Sequence, residues 1–176
     1  RVWDTRTGQE LLTFRGHKGF VSAVAWSPDG KRIASGDNGQ YQIQVWDPNT
    51  GRVEQVMGAA QGGHTNGVWW VNFNPDGTVL VSGSADKTAR LWDTATWKQI
   101  KVLEGFQAEV EGAVFSPDGK WIATSEAGPS GKVQVWDWRN GQVVQEFQGP
   151  KEQHRCTVFS PDGKRVAAGT SSGKLL

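Results

Sequence analysis

The sequence has little of what marks a chemical or membrane role. It contains one cysteine, Cys156, in 176 residues. A lone thiol forms no internal disulfide and argues against a thiolate metal cluster. A reducing, cytoplasmic compartment fits that usage. Charge of neither sign is in excess, with 19 Lys+Arg against 18 Asp+Glu. Nucleic-acid binders neutralise phosphates and so carry a basic excess or stripe. None is visible, and no nucleic-acid partner is expected. No apolar run approaches the roughly 18 residues of a membrane span. No signal-peptide pattern opens the chain, and no membrane partner is expected. Helical periodicity never persists for about ten residues, because Gly, Pro or Asp interrupts every run. A phosphate loop is missing too. Lys follows Gly at Lys31, Lys120, Lys132, Lys164 and Lys174, but the earlier Gly and the following Ser or Thr are absent. The Asp-Gly turns lack the alternating carboxylates of a calcium loop. No cofactor or metal is therefore expected.

What the chain does have is tryptophan and glycine, ten and 23 residues respectively. They are not scattered. Val2-Trp3-Asp4, Val45-Trp46-Asp47, Leu91-Trp92-Asp93 and Val135-Trp136-Asp137 recur with gaps of 43, 46 and 44 residues between tryptophans. A fixed period of that size marks a repeat architecture. A second mark falls between them: Ser27-Pro28-Asp29-Gly30, Asn74-Pro75-Asp76-Gly77, Ser116-Pro117-Asp118-Gly119 and Ser160-Pro161-Asp162-Gly163. Ser or Asn at the first turn position, Pro at the second and Gly at the fourth is type I turn chemistry. The flanks are strand-like, so each turn joins two antiparallel strands.

Each unit reads as four strands. In the second unit they fall at 67–73, 79–83, 88–92 and 99–103, with a turn at 93–97. Mixed apolar content in the first strand suits burial on both faces. The fourth strands carry more charge, as in Gln142-Val143-Val144-Gln145-Glu146-Phe147, which suits an outer edge. Residues 57–62 and 126–131 read as lengthened loops.

These marks resemble the WD40 repeat family over essentially the whole chain. The family pattern is Gly-His near the start of a repeat, Ser-Pro-Asp-Gly at the first turn and Trp-Asp closing the third strand. The resemblance implies an all-β fold, a β-propeller of four-stranded antiparallel blades, four per chain. The repeats run approximately 1–47, 48–93, 94–137 and 138–176. The strand at 1–4, from the same or another copy, would complete the last. Both chain ends fall within a third strand, as in a piece of a longer array. Further sequence could complete the ring, and this is the arrangement favoured for the native protein. A homodimer of two copies could form an eight-bladed ring, the arrangement favoured if the 176 residues stand alone. One copy could also close as a four-bladed ring.

His64, Ser82, Asp86 and Trp92 match a structural tetrad of WD40 blades, with Asp four residues after Ser and Trp six after Asp. The same residue types would suit a hydrolase only with an exposed nucleophile beside its base. The resemblance implies that they are buried and mutually bonded instead. The second repeat alone has all four at the family spacing. The first keeps His17, Ser35 and Trp46, with Asp37 or Asn38 able to substitute. The third has Phe106 and Thr124, and the fourth Pro150 and Ala168, so both should rely more on packing. His154 and Cys156 lie two apart on one strand, read as a partly exposed His beside a buried Cys.

Family partners often contact residues three and five after the Gly-His histidine, at the rim of the top face. Carried over, these are Phe20 and Ser22, Gly67 and Trp69, Glu109 and Glu111, and Gln153 and Arg155. The expectation is a non-enzymatic interaction scaffold whose top face takes a protein or peptide. The alternatives are a regulatory or sensor propeller within a larger multidomain protein, and a self-associating half-propeller.

Overall fold

The computed structural model describes residues 1–128, 131–149 and 154–173. Three antiparallel four-stranded meanders form its body. Blade I holds β3 (Val21–Trp26), β4 (Ile33–Asp37), β5 (Ile43–Trp46) and β6 (Val53–Met57). Blade II holds β7 (Val68–Phe73), β8 (Val79–Ser84), β9 (Ala89–Asp93) and β10 (Gln99–Leu103). Blade III holds β11 (Val110–Phe115), β12 (Trp121–Glu126), β13 (Lys132–Asp137) and β14 (Gln142–Gln148). Two short sheets flank them. One pairs β1 (Val2–Trp3) with β2 (Glu10–Leu12), and the other pairs β15 (His154–Phe159) with β16 (Val166–Thr170). By register, β1–β2 correspond to the outer strands of a blade and β15–β16 to the inner ones.

Local chemistry sets the turns. The amides of Gly30, Gly77, Gly119 and Gly163 donate to the carbonyls of Ser27, Asn74, Ser116 and Ser160 at 2.8–3.0 Å. Each of these glycines has φ of 68 to 74°, the left-handed region that glycine adopts without strain. The Asp of each Trp-Asp mark organises the outer turn. Asp47 Oδ1, for example, accepts the amides of Asn49 and Thr50 at 2.7 and 3.1 Å. The residue closing that turn is left-handed at Gly8, Gly51 and Gly141, and Trp97 takes the same place at φ 56°. Trp97 packs against the blade I–II core, and the Arg32 guanidinium lies over its ring. That packing offsets the backbone cost.

The core lies in the seams between blades. One cluster joins Ile43, Val45 and Met57 of blade I to Val68, Val71, Phe73, Leu80 and Trp92 of blade II. A second joins Ala89, Leu91 and Leu103 of blade II to Val110, Ala113, Ile122 and Trp136 of blade III. Strands at the seam approach closely. A Cβ on Gly83 would lie 2.8 Å from the Val110 carbonyl oxygen.

Outer strands open toward solvent at their starts, and β14 is exposed along its whole length, but Met57 and Leu103 at the ends of β6 and β10 are buried. First strands depart from the expectation of burial on both faces. β11 is buried throughout, but Val24 and Trp26 of β3 and Val158 of β15 are 66%, 49% and 53% exposed. The free faces of β3 and β15 have no neighbouring blade among the described residues. Cys156 is exposed on β15 for the same reason, which corrects the reading of a buried thiol. The side chain of His154 lies outside the described residues.

Candidate functional site

In blade II the structure brings His64, Ser82, Asp86 and Trp92 into one chain of hydrogen bonds. Trp92 Nε1 donates to Ser82 Oγ at 2.9 Å, and Ser82 Oγ meets His64 Nε2 at 2.7 Å. His64 Nδ1 meets Asp86 Oδ2 at 2.9 Å, and that oxygen also accepts the Thr65 amide at 3.1 Å. The indole can only donate and the Asp86 carboxylate only accept. With the buried His64 neutral and its proton on Nδ1 toward Asp86, Nε2 accepts from Ser82 and the order runs Trp to Ser to His to Asp. The network joins the loop before β7 to β8, to the β8–β9 turn and to β9.

The electrostatics agree with that assignment. Burial holds the His64 imidazole below its ordinary pKa, outweighing the pull of Asp86. Burial opposes the charge on Asp86, but hydrogen bonds from His64, Thr88 and Thr65 overcome it. Its carboxyl is held well below the usual carboxylate range. Ser82 has no exposed surface and His64 is 1% exposed, so no substrate reaches the serine oxygen. The buried polar groups satisfy one another and fix local geometry.

A pH effect follows. A histidine whose folded pKa is depressed contributes stability above its unfolded value, near 6.5. That contribution is lost as pH falls through the folded pKa, because the unfolded chain takes up the proton first. Asp86 loses its contribution only below about pH 4. Between pH 7 and 5, His64 should therefore cost the fold up to about 2 kcal/mol. Urea midpoints at both pH values check this. The drop should shrink in His64→Gln, and an equal drop in both proteins would contradict the assignment.

Blade I is equipped in the same way, so blade II is not the sole complete case. Trp46 Nε1 donates to Ser35 Oγ at 3.0 Å, and His17 bridges Ser35 and Asp37 at 2.6 Å on each side. Asp37, rather than Asn38, fills the acidic place and also accepts the amides of Gly39, Gln40 and Tyr41. In blade III, Phe106 packs on Trp136 with ring centroids 5.2 Å apart, and Trp136 Nε1 donates to Thr124 at 2.9 Å. Glu126 accepts the amides of Gln107 and Ala108 at 2.9 and 3.1 Å. It holds the incoming loop as Asp86 does through Thr65. Sequence reading missed Glu126. The available signal is a carboxylate two residues after Thr124, as Asp37 stands two after Ser35. In the fourth repeat Ala168 is buried, and Pro150 lies outside the described residues.

At the rim, side chains tie each blade to the next. Ser22 Oγ donates to the Val68 carbonyl, from blade I to blade II. Trp69 Nε1 donates to Glu109 Oε2 at 2.7 Å, from blade II to blade III. Arg155 Nη1 lies 3.3 Å from Glu111 Oε1, from β15 to blade III. Trp69 and Glu109 are half-buried, Glu111 and Gly67 are buried, and Arg155 is exposed. Phe20 is the most open, at 70%. Gln153 lies outside the described residues. The rim therefore offers one open aromatic, one pinned indole, and charges already partly paired.

Comparison with known proteins gives the same pattern. The family model for the WD domain, G-beta repeat, matches residues 8–47, 58–93 and 97–137, about two thirds of the chain. A guanine nucleotide-binding protein subunit beta of Solanum tuberosum is 37% identical over 112 residues. That match covers 62% of this chain and 30% of the relative. Protein HIR1 of Kluyveromyces lactis is 29% identical over 127 residues, covering 65% of this chain and 15% of the relative. Nuclear distribution protein nudF of Aspergillus niger is 30% identical over 126 residues, covering 70% and 28%. The chain thus spans less than a third of the length of each of these relatives.

Proposed function

The chain belongs to the WD40-repeat family, and on that premise we propose that it is a non-enzymatic scaffold presenting its top rim to a protein or peptide. WD40-repeat proteins generally act as protein-interaction scaffolds. The observation that carries the proposal is the Trp69–Glu109 bond across the blade II–III seam. An indole fixed before contact loses little conformational freedom on binding, and tryptophan is enriched at interface hot spots. Phe20 adds an exposed aromatic, and Glu109 and Arg155 add charges elsewhere on the rim. Such sites sit on loops held by a rigid frame. We place this activity in the cytoplasm, where the exposed Cys156 would stay reduced. Among the described residues no helix is long and apolar enough to cross a membrane.

The test is affinity capture followed by direct titration of the captured protein. Trp69→Ala should weaken binding roughly 30-fold or more, the hot-spot scale. Ile100→Ser, on the outer strand β10, should bind as the parent does. Equal affinity of the Trp69 variant and the parent would overturn the proposal.

A further reading has its own support. Covering under a third of each relative favours a scaffold or sensor segment within a larger protein.

A further inference from the structure

Three asparagines precede glycine, at Asn38-Gly39, Asn66-Gly67 and Asn140-Gly141. In such a pair the glycine nitrogen can attack the asparagine side-chain carbon, because the attack closes a five-membered ring and no side chain on the glycine obstructs it. The fold treats the three pairs differently. The Gly39 amide donates to Asp37 Oδ1 at 3.0 Å, and the Gly141 amide to the Asp137 carbonyl at 2.8 Å. Asn140 is tied as well, since its Nδ2 donates to Asp137 Oδ2 and its Oδ1 accepts the Gln142 amide. Both glycine nitrogens are thus turned away from the carbon they would attack. The Gly67 amide instead donates to Oδ1 of Asn66 itself, at 2.8 Å. Nucleophile and target carbon are thereby held together before reaction.

The surroundings favour the step. Asn66 is exposed, so water and hydroxide reach it. The carbonyl of Asn66 accepts Ser84 Oγ at 3.1 Å. That oxygen belongs to the same peptide unit as the Gly67 nitrogen, and resonance carries the negative charge of a deprotonated nitrogen onto it. Ser84 Oγ is therefore aimed at charge that develops in the reaction. Ser84 has no exposed surface, and the Asp86 amide donates to its Oγ at 3.0 Å, which orients the hydroxyl and strengthens it as a donor. The Gly67 carbonyl is held in turn by the Ala85 amide at 2.9 Å. The β8–β9 turn thus grips both carbonyls and leaves the Asn66 side chain to the Gly67 nitrogen.

We propose that Asn66 and Gly67 form a self-modifying site, at which the Gly67 nitrogen displaces ammonia from the Asn66 side chain while Ser84 Oγ donates to the charge that develops. Hydroxide takes the proton from the Gly67 nitrogen. The nitrogen bonds to Asn66 Cγ, the bond from Cγ to Nδ2 breaks, and Nδ2 leaves as ammonia with a proton returned from water. Water then opens the succinimide. Addition at Cγ gives Asp. Addition at the main-chain carbonyl breaks its bond to the Gly67 nitrogen and gives isoaspartate. Both products carry a new negative charge, and isoaspartate routes the chain through Cβ and Cγ, adding one carbon to the backbone. That carbon enters between Thr65, whose amide Asp86 holds, and Val68, which pairs with Ser84 at the start of β7. The two anchors cannot both keep their places, so the loop ahead of Trp69 loosens as the molecule ages.

Peptide mapping by mass spectrometry, on the intact chain aged in mildly alkaline buffer, tests this. Asn66 should convert at least ~10-fold faster than Asn38 and Asn140, while in urea the three rates should converge. Ser84→Ala should slow Asn66 about 10-fold in the folded chain and leave its rate in urea unchanged, and Ser84→Thr, which keeps the hydroxyl, should hold the parent rate. Asn66→Gln would have to close a larger ring and should retain its amide, which assigns the released ammonia to Asn66. In the aged parent the amides of Thr65 and Val68 should exchange faster than in the fresh chain. A folded Asn66 that reacts no faster than Asn38 and Asn140, or slower than in urea, would overturn the site. An unchanged Asn66 rate in folded Ser84→Ala would overturn the part given to Ser84.

Discussion

Trp92→Ala is expected to lower stability by about 3–5 kcal/mol, the range for truncating a buried Trp or Phe. Trp92 is 1% exposed and lies in the seam between blades I and II. Its loss does two things. It opens a cavity against Ile43, Val45 and Met57, which strands on both sides hold apart. It also removes the donor to Ser82 Oγ, in a site closed to water. The cost depends on how far the seam can collapse, and paired strands limit that collapse. Trp3→Ala is the control, because Trp3 is 54% exposed. It should cost less than about 0.5 kcal/mol, the usual range for exposed positions. Urea unfolding of both variants measures the contrast. A loss below about 1 kcal/mol for Trp92→Ala would show that the seam repacks.

The sequence-based expectations succeed where the determining chemistry is local. Ser-Pro-Asp-Gly specifies its turn within four residues, and the strands of blade II fall within one residue of their expected limits. The order of polar outer strands and apolar inner ones follows from alternation and charge. What escaped reading depends on partners in another blade or another turn. Asp37 takes the acid's place from the end of β4, two residues after Ser35, whereas Asp86 stands four after Ser82 in the β8–β9 turn. Glu126 reaches the backbone before β11 with no histidine between them. Burial of Glu111 beside Arg155, and the pinning of Trp69 by Glu109, depend on how blades abut. Exposure of Val24, Trp26 and Cys156 has the same origin, since the residue types alone suit a buried strand.

The buried network holds the loop that leads into Trp69, which sets the second large effect. His64→Ala is expected to cost about 1–3 kcal/mol, the penalty for leaving buried polar groups without their partner. Ser82 Oγ loses the nitrogen it meets, and Asp86 loses one of the donors that hold its charge. The effect is smaller than at Trp92 because little apolar volume is removed. Three comparisons separate it from simple packing loss. The cost should be lower at pH 5 than at pH 7, since the neutral buried imidazole of the parent is disfavoured in acid. Ser82→Ala combined with His64→Ala should cost less than the two separately, because both break one network. The amides of Thr65 and Gly67 should exchange faster, because the bond from Thr65 to Asp86 is steadied by His64 beside it. Trp69 follows this loop by two residues, so partner binding should weaken in His64→Ala although the imidazole is buried. Unchanged amide exchange together with unchanged partner affinity would show that the tetrad stabilises the blade without positioning the rim.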